Sequence, residues 1–196
     1  MGQPFGFLTY DREHPEKRRI EDRTQDYKEI YKRLSDSQTV RQAGRCIDCG
    51  VPFCHSIGCP LQNVVPEWND AVYRNRWYEA YRRLEKTNCF PEITGRICPA
   101  LCEAACTLSI SDDPVAIRAL KRFAAERGSA VIERAEPTGY RAAIIGSGPS
   151  GLATAYFLAL SGVKPVLYES RDMAGGMPAI APEFRLPERV LEQDIS

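Results

Sequence analysis

The chain has no net charge to steer it: among its 196 residues, 26 Lys and Arg are balanced by 26 Asp and Glu. A neutral balance removes the long-range field by which proteins collect nucleic acid or an anionic membrane. No apolar run approaches the roughly 20 residues of a membrane span. The opening MGQPFGFLTYDREHPEKRR is polar and charged, without the apolar stretch of a secretory signal. Position 6 after Gly2 is Gly rather than Ser or Thr, which breaks the myristoylation pattern. There is no internal repeat and no low-complexity tract. These absences predict a cytoplasmic protein, in a compartment where thiols stay reduced. No acid, base or nucleophile stands in a catalytic constellation, so any chemistry here is redox carriage by cofactors and no residue is assigned a catalytic role.

Against these absences stand eight cysteines, all between Cys46 and Cys106. The first four, in CIDCGVPFCHSIGCP, follow C-x2-C-x4-C-x4-C-P; three more, in CPALCEAAC, follow C-x3-C-x3-C, with Cys89 between the sets. In a reducing compartment such clustering points to metal rather than disulfides. C-x2-C is shared with zinc ribbons, but a dense run of four thiols ending in Cys-Pro, echoed by Cys98-Pro99, resembles the bacterial ferredoxin run. There the last ligand crosses to a second cluster. By that logic Cys46, Cys49 and Cys54 serve one iron–sulfur cluster and Cys59 leaves for another. Cys98, Cys102 and Cys106, four apart, would present their thiols from one side of a helix and complete both sites.

Around the cysteines the pattern is helical. Tyr27, Ile30, Tyr31 and Leu34 recur at i, i+3, i+4, i+7 and predict a helix over Asp26–Leu34. A second covers Ser37–Gly44. Trp68, Ala71 and Val72, then Trp77, Ala80, Tyr81 and Leu84, predict two short helices whose aromatic stripe is core packing. Asp113 as N-cap, Pro114 at N1 and Gly128 as the stop predict another. Residues 129–139 read as a linker.

The pattern then changes. Arg141–Ile145 is strand-like, GSGPSG follows, Leu152–Ser161 is helical, and Pro165–Tyr168 is a second strand ending at Glu169: β-α-β, the opening of a parallel sheet. Gly146 permits the tight turn, Gly148 lets the backbone approach a pyrophosphate, and Gly151 allows close helix–strand packing. Pro149 and Ser150 lie at the helix N-terminus, which faces the phosphates. Glu169 would bind ribose hydroxyls, and an acid there suits FAD or NAD rather than NADP. A doubly wound domain needs more strands than one β-α-β unit supplies. The expectation is therefore a fragment, or a chain whose sheet is completed by a second one, binding FAD only with that completion and not oxidising NAD(P)H alone.

Taken together, GRCIDCGVPFC, GCPLQNVVPEWNDAVYR, TNCFPEITGRICPALCEAAC, PVAIRALKRF and GSGPSGLATAYFLALSGVKPVLYES, with AGGM after it, resemble the N-terminal part of the glutamate synthase small (β) subunit family. That superfamily includes the N-terminal region of dihydropyrimidine dehydrogenase and the large subunit of NADH-dependent ferredoxin:NADP oxidoreductase. The likeness runs from about Gly44 onward, and the opening GFLTYDR is also similar. It implies an α-helical two-[4Fe–4S] domain over residues 1–135 and the first part of an FAD-binding, Rossmann-like α/β domain over 140–196. One cluster would use Cys46, Cys49, Cys54 and Cys106, and the other Cys59, Cys98 and Cys102. Arg171 and the Gly175-Gly176 pair resemble the flavin site of two-dinucleotide flavoproteins. The implied function is electron transfer within an NAD(P)H oxidoreductase. Hydride enters at a nicotinamide site elsewhere, FAD splits it, and the clusters relay electrons to a protein redox partner or larger subunit.

The chain departs from the family at one ligand. Relatives place a Glu or Gln on the helix after the cysteines, and that position is Lys121, whose ammonium has no lone pair for iron. The second cluster then has three protein ligands, recruits another group such as Cys89, or loses an iron. Cys89 otherwise reads as a buried small apolar residue, and His55 as a surface or supporting residue. Arg96 and Lys121 would offset a cluster's negative charge. The competing function class is a non-enzymatic, zinc- or cluster-stabilised interaction subunit docking on a larger redox complex.

Overall fold

The computed structural model describes residues 2–128 and 134–195, and within them no helix is long and apolar enough to cross a membrane. The chain clusters into two compact units, Met1–Asp26 with Ile30–Ala130, and Tyr27–Glu29 with Val131–Ser196.

The first unit is helical apart from one isolated bridge. After the single turns α1 (Gly6–Thr9) and α2 (Ile20–Arg23), the helix expected over 26–34 does not form. Tyr31 instead makes an isolated antiparallel bridge with Lys17. Arg18 N–H donates to Ile30 O at 2.8 Å, and Lys32 N–H to Glu16 O at 2.7 Å. The apolar spacing was helical, but these cross-chain bonds and the two-pronged Arg18–Asp26 pair hold the segment extended. Helix starts only at Ser35, whose hydroxyl accepts from Gln38 N–H while its own N–H donates to Gln38 Oε1. That capping box launches α3 (Asp36–Gly44).

Next come α4 (Phe53–Ser56), α5 (Val65–Tyr73), α6 (Trp77–Glu85), α7 (Pro91–Ile97) and α8 (Leu101–Ala104). A 3-10 turn, Thr107–Ile110, leads to α9 (Ile117–Arg127). Proline opens α7 and stands in the first turn of α5, where its missing N–H costs nothing. The aromatic stripe packs as expected: Trp68 is fully buried, and Trp77 lies 5.2 Å from the Phe123 ring. Val72, Ala80, Leu84, Leu120 and Ala124 complete one core, and Cys54 and Cys102 belong to it.

α9 begins at Ile117 with Ala116 as N-cap, not at Asp113 and Pro114. The carbonyls that would have opened the helix are already taken. Pro114 O accepts from Arg12 and Arg45, and Asp113 O from Arg45. The Glu103 carboxylate accepts from Arg118 N–H at 2.8 Å and so satisfies one first-turn donor. Gly128 ends the helix as read from sequence.

The second unit pairs β1 (Arg141–Ile145) with β2 (Lys164–Tyr168) in parallel, from Arg141↔Lys164 to Ile145↔Tyr168, around α10 (Pro149–Leu160). α10 starts three residues earlier than the apolar pattern indicated, because Pro149, Ser150 and Gly151 form its first turn. Of the expected linker, 129–133 lies outside the described residues. The part from 134 onward is bonded to the end of α10: Ala135 N–H donates to Leu160 O and Thr138 N–H to Gly162 O, both at 2.9 Å. A 3-10 turn, Pro178–Ile180, and α11 (Glu188–Ile195) follow.

Candidate cofactor sites

The first cysteine site grows from the C-terminal end of α3. Arg45 closes the helix, Cys46 follows, and left-handed Asp48 and Gly50 (φ 49° and 72°) turn the chain back past Cys49. α4 then carries Cys54 inward. Cys46, Cys49, Cys54 and Cys106 line one small cavity of about 20 Å³, backed by Val65, Leu108, Val115 and Ile117. Thr107 Oγ1 donates to Cys49 Sγ at 3.5 Å, and Asp48 N–H donates to the Cys46 sulfur. Burial pushes the Cys46 thiol up to about 11 and Cys54 up to about 12, each further raised by neighbouring thiols of the set. Such thiols keep their protons until a cation replaces them, and metal binding then releases protons. Four cysteines around one cavity, two of them accepting N–H or O–H donors, fit a thiolate-held cluster.

Cys59, Cys98 and Cys102 form the second set. Gly58 permits it: a Cβ there would lie 2.7 Å from Ala105 Cβ and 2.8 Å from Cys102 Cα, so only glycine brings Cys59 against α8. Gly95 does the same for α7 on α9, where a Cβ would lie 2.8 Å from Arg122 Cα. Cys98 caps α7 with extended backbone and accepts Ala100 N–H at 3.4 Å. The expected single helix bearing Cys98, Cys102 and Cys106 is therefore not present. Only Cys102 is helical, because Cys98 and Cys106 are extended and Ala100 is left-handed at φ 61°. These breaks send Cys106 to the first site and leave Cys98 and Cys102 at the second. Burial pushes the Cys102 thiol up to about 12, partly countered by Lys121. Lys121 is 9% exposed, and burial lowers its pKa while Cys98, Cys102 and Cys59 raise it.

Arg96 is buried, and its guanidinium is bound to Glu92 and to Glu126, the latter at 2.6 Å. Cys89 is half-buried just before α7, and His55 half-buried on α4. Among the described residues, no three His, Cys, Asp or Glu side chains close on the position of a single metal ion.

The glycine loop is assembled as a cradle. Gly146 has φ +91°, and Gly148 caps α10 with nothing within 4 Å of where its Cβ would be. A Cβ on Gly151 would sit 2.0 Å from Gly146 O, so glycine alone lets α10 start there. The open space above Gly148, at the positive end of a helix of 12 residues, suits a phosphate. Glu169 lies beside this loop, and Gly175 N–H donates to Ser147 O at 3.0 Å. Gly176 packs so tightly on Gly148 that a Cβ would be 2.7 Å from its Cα. Arg171 takes part through its N–H, which donates to Glu169. Pro149 and Ser150 occupy the first turn of α10.

Two organising residues escaped the sequence reading. Ser147, 1% exposed, ties Glu169 and Gly175 together, although a GSG motif marks it only as a spacer. Arg45, also 1% exposed, anchors the chain entering Cys46 to the Asp112–Pro114 loop. Its partners lie 67 to 69 residues away, a separation with no periodic signature.

The relatives follow the same division. Residues 23–131 match the family dihydropyrimidine dehydrogenase domain II, 4Fe-4S cluster, and residues 144–187 match an NAD(P)-binding Rossmann-like domain. The chain is 44% identical over 209 residues to the glutamate synthase [NADPH] small chain of Bacillus subtilis, covering 100% of this chain and 42% of that protein. It is 42% identical over 200 residues to the small chain of Mycobacterium tuberculosis, covering 98% and 41%. It is 44% identical over 197 residues to the glutamate synthase [NADH] of Schizosaccharomyces pombe, covering 97% and 9%. The chain thus spans about two fifths of the bacterial small chains it matches. With all eight cysteines inside the first matched segment, the chain belongs to the dihydropyrimidine dehydrogenase domain II, 4Fe-4S cluster family, joined here to a Rossmann-like segment.

Proposed function

We propose that this chain is an electron-transfer component of a glutamate-synthase-small-chain-type NAD(P)H oxidoreductase, acting in the cytoplasm with a larger redox subunit. Residues 1–135 hold two iron–sulfur clusters, and 140–196 form the first part of an FAD-binding domain. When bound, these groups supply the chemistry: FAD divides a hydride's electron pair, and clusters pass electrons singly.

The residues supply the rest. Cys46, Cys49, Cys54 and Cys106 ligate one cluster. Cys59, Cys98 and Cys102 ligate the other, each thiol losing its proton to solvent as iron binds. The apolar wall behind the first cavity shields its inner side from water, and the donors to Cys46 and Cys49 spread the thiolates' charge. Gly146, Gly148 and the N–H groups of Pro149-Ser150-Gly151's turn that are free of proline receive the flavin pyrophosphate, with Gly175-Gly176 beside them. Glu169 receives the ribose. Parallel sheets are normally covered on both faces, yet Ile145 is 84% and Tyr168 56% exposed. This supports flavin binding only once further β-α units extend the sheet and cover its faces.

The observation that carries the reading is the sorting of seven cysteines into a four-thiol cavity and a three-thiol set. Anaerobically purified chain should be brown, with broad visible absorbance and acid-labile sulfide. Colourless protein with stoichiometric zinc would overturn it. Flavin retained by this chain alone through desalting would contradict the incomplete-sheet part.

A further inference from the structure

The two thiol sets differ in what stands opposite them. The first site has four cysteines around its cavity. The second has three, and Lys121, nine-tenths buried on α9, is the side chain set among them. Neighbouring groups that might act as a fourth ligand are committed elsewhere. Cys106 lines the first cavity. The Glu103 carboxylate is bound by Arg118 N–H and by the Arg12 guanidinium. Arg118, one turn before Lys121, donates Nη1 to Cys98 O at 3.1 Å and holds that corner in place.

We propose that Cys59, Cys98 and Cys102 alone hold the second cluster, with Lys121 standing where a fourth ligand would be, so that one iron is open to exchange and to a small exogenous thiolate. The inference rests on the iron–sulfur reading above. Three thiolates fix three irons, and the fourth iron has only sulfide to retain it. The site therefore cycles between four-iron and three-iron forms while the first site stays intact.

The test oxidises anaerobically reconstituted chain with ferricyanide, a one-electron acceptor. The diamagnetic [4Fe–4S]2+ releases one Fe2+ and gives one electron to ferricyanide, leaving [3Fe–4S]+, which has its own EPR signal. The wild type should release one ferrous ion per chain to a chelator and show one three-iron signal. Lys121→Glu, which supplies an oxygen ligand, should slow release roughly tenfold or more. Lys121→Met should release iron as the wild type does, and Cys98→Ser should release none. Equal release from wild type and Lys121→Glu, faster release from Lys121→Met, or release persisting in Cys98→Ser would each overturn the inference. Lys121→Gln gives a second oxygen donor if the Glu variant does not fold. Absence of iron and sulfide before any oxidant is added contradicts the parent reading instead, which keeps the two failures distinct.

Discussion

The Glu169 carboxylate accepts the backbone N–H of Ser147 at 2.8 Å and, with the same oxygen, the Ser147 hydroxyl. Its other oxygen accepts from Ser170 and Arg171 N–H at 2.9 and 3.0 Å. These bonds, Ser147's first, hold the carboxyl down to about 2 from an ordinary 4.5. A lowered folded value means that the contact's stabilisation is fully present above about 4.5 and is lost as pH falls through about 2. Ser147→Ala should raise the Glu169 midpoint, read by carboxyl-carbon NMR. An unchanged midpoint would remove the hydroxyl as its cause.

Gly95→Ala forces a methyl to 2.8 Å from both Cα and Cβ of Arg122. Overpacking of this kind costs about 1–3 kcal/mol. A lower urea midpoint should appear, with iron lost from the Cys98 site before the other. Stability equal to wild type would show that α7 and α9 can part without cost.

Gly148→Ala should behave oppositely. Its Cβ meets nothing within 4 Å and its φ of −69° suits any residue. Stability should stay within about 0.5 kcal/mol of wild type. Flavin content of the complex carrying the completing strands should fall, because the methyl occupies the phosphate's approach. Unchanged flavin content would place the pyrophosphate elsewhere.

Arg45→Met removes a buried guanidinium from Asp112 Oδ2, Asp113 O and Pro114 O. Hydrogen bonds from a charged donor are worth about 1.5–3 kcal/mol, and Asp112 is partly solvated, so the loss should be near the value of one such bond, measured by thermal unfolding. No change would mean that the 112–114 loop finds other donors.

What could be read from sequence was what depends on local spacing. The strand–GSGPSG–helix–strand order, the helices through Trp68 and Trp77, and the stop at Gly128 all rest on neighbours within a turn or two. The errors came where distant groups intervened. Residues 26–34 have helical spacing, yet Lys17 and Glu16 pull them into a bridge. Asp113-Pro114 is a sound helix start, but Arg12 and Arg45 reach it first. The even spacing of Cys98, Cys102 and Cys106 hides backbone breaks at Ala100 and beyond.

The division of the thiols into two sites is tested most directly by counting iron and sulfide in Cys54→Ser and Cys98→Ser beside the wild type, with EPR of each reduced sample. Each variant should lose one cluster and retain the other, with distinct surviving spectra. Loss of both together, or of neither, would contradict two separate sites built from Cys46, Cys49, Cys54 and Cys106 and from Cys59, Cys98 and Cys102.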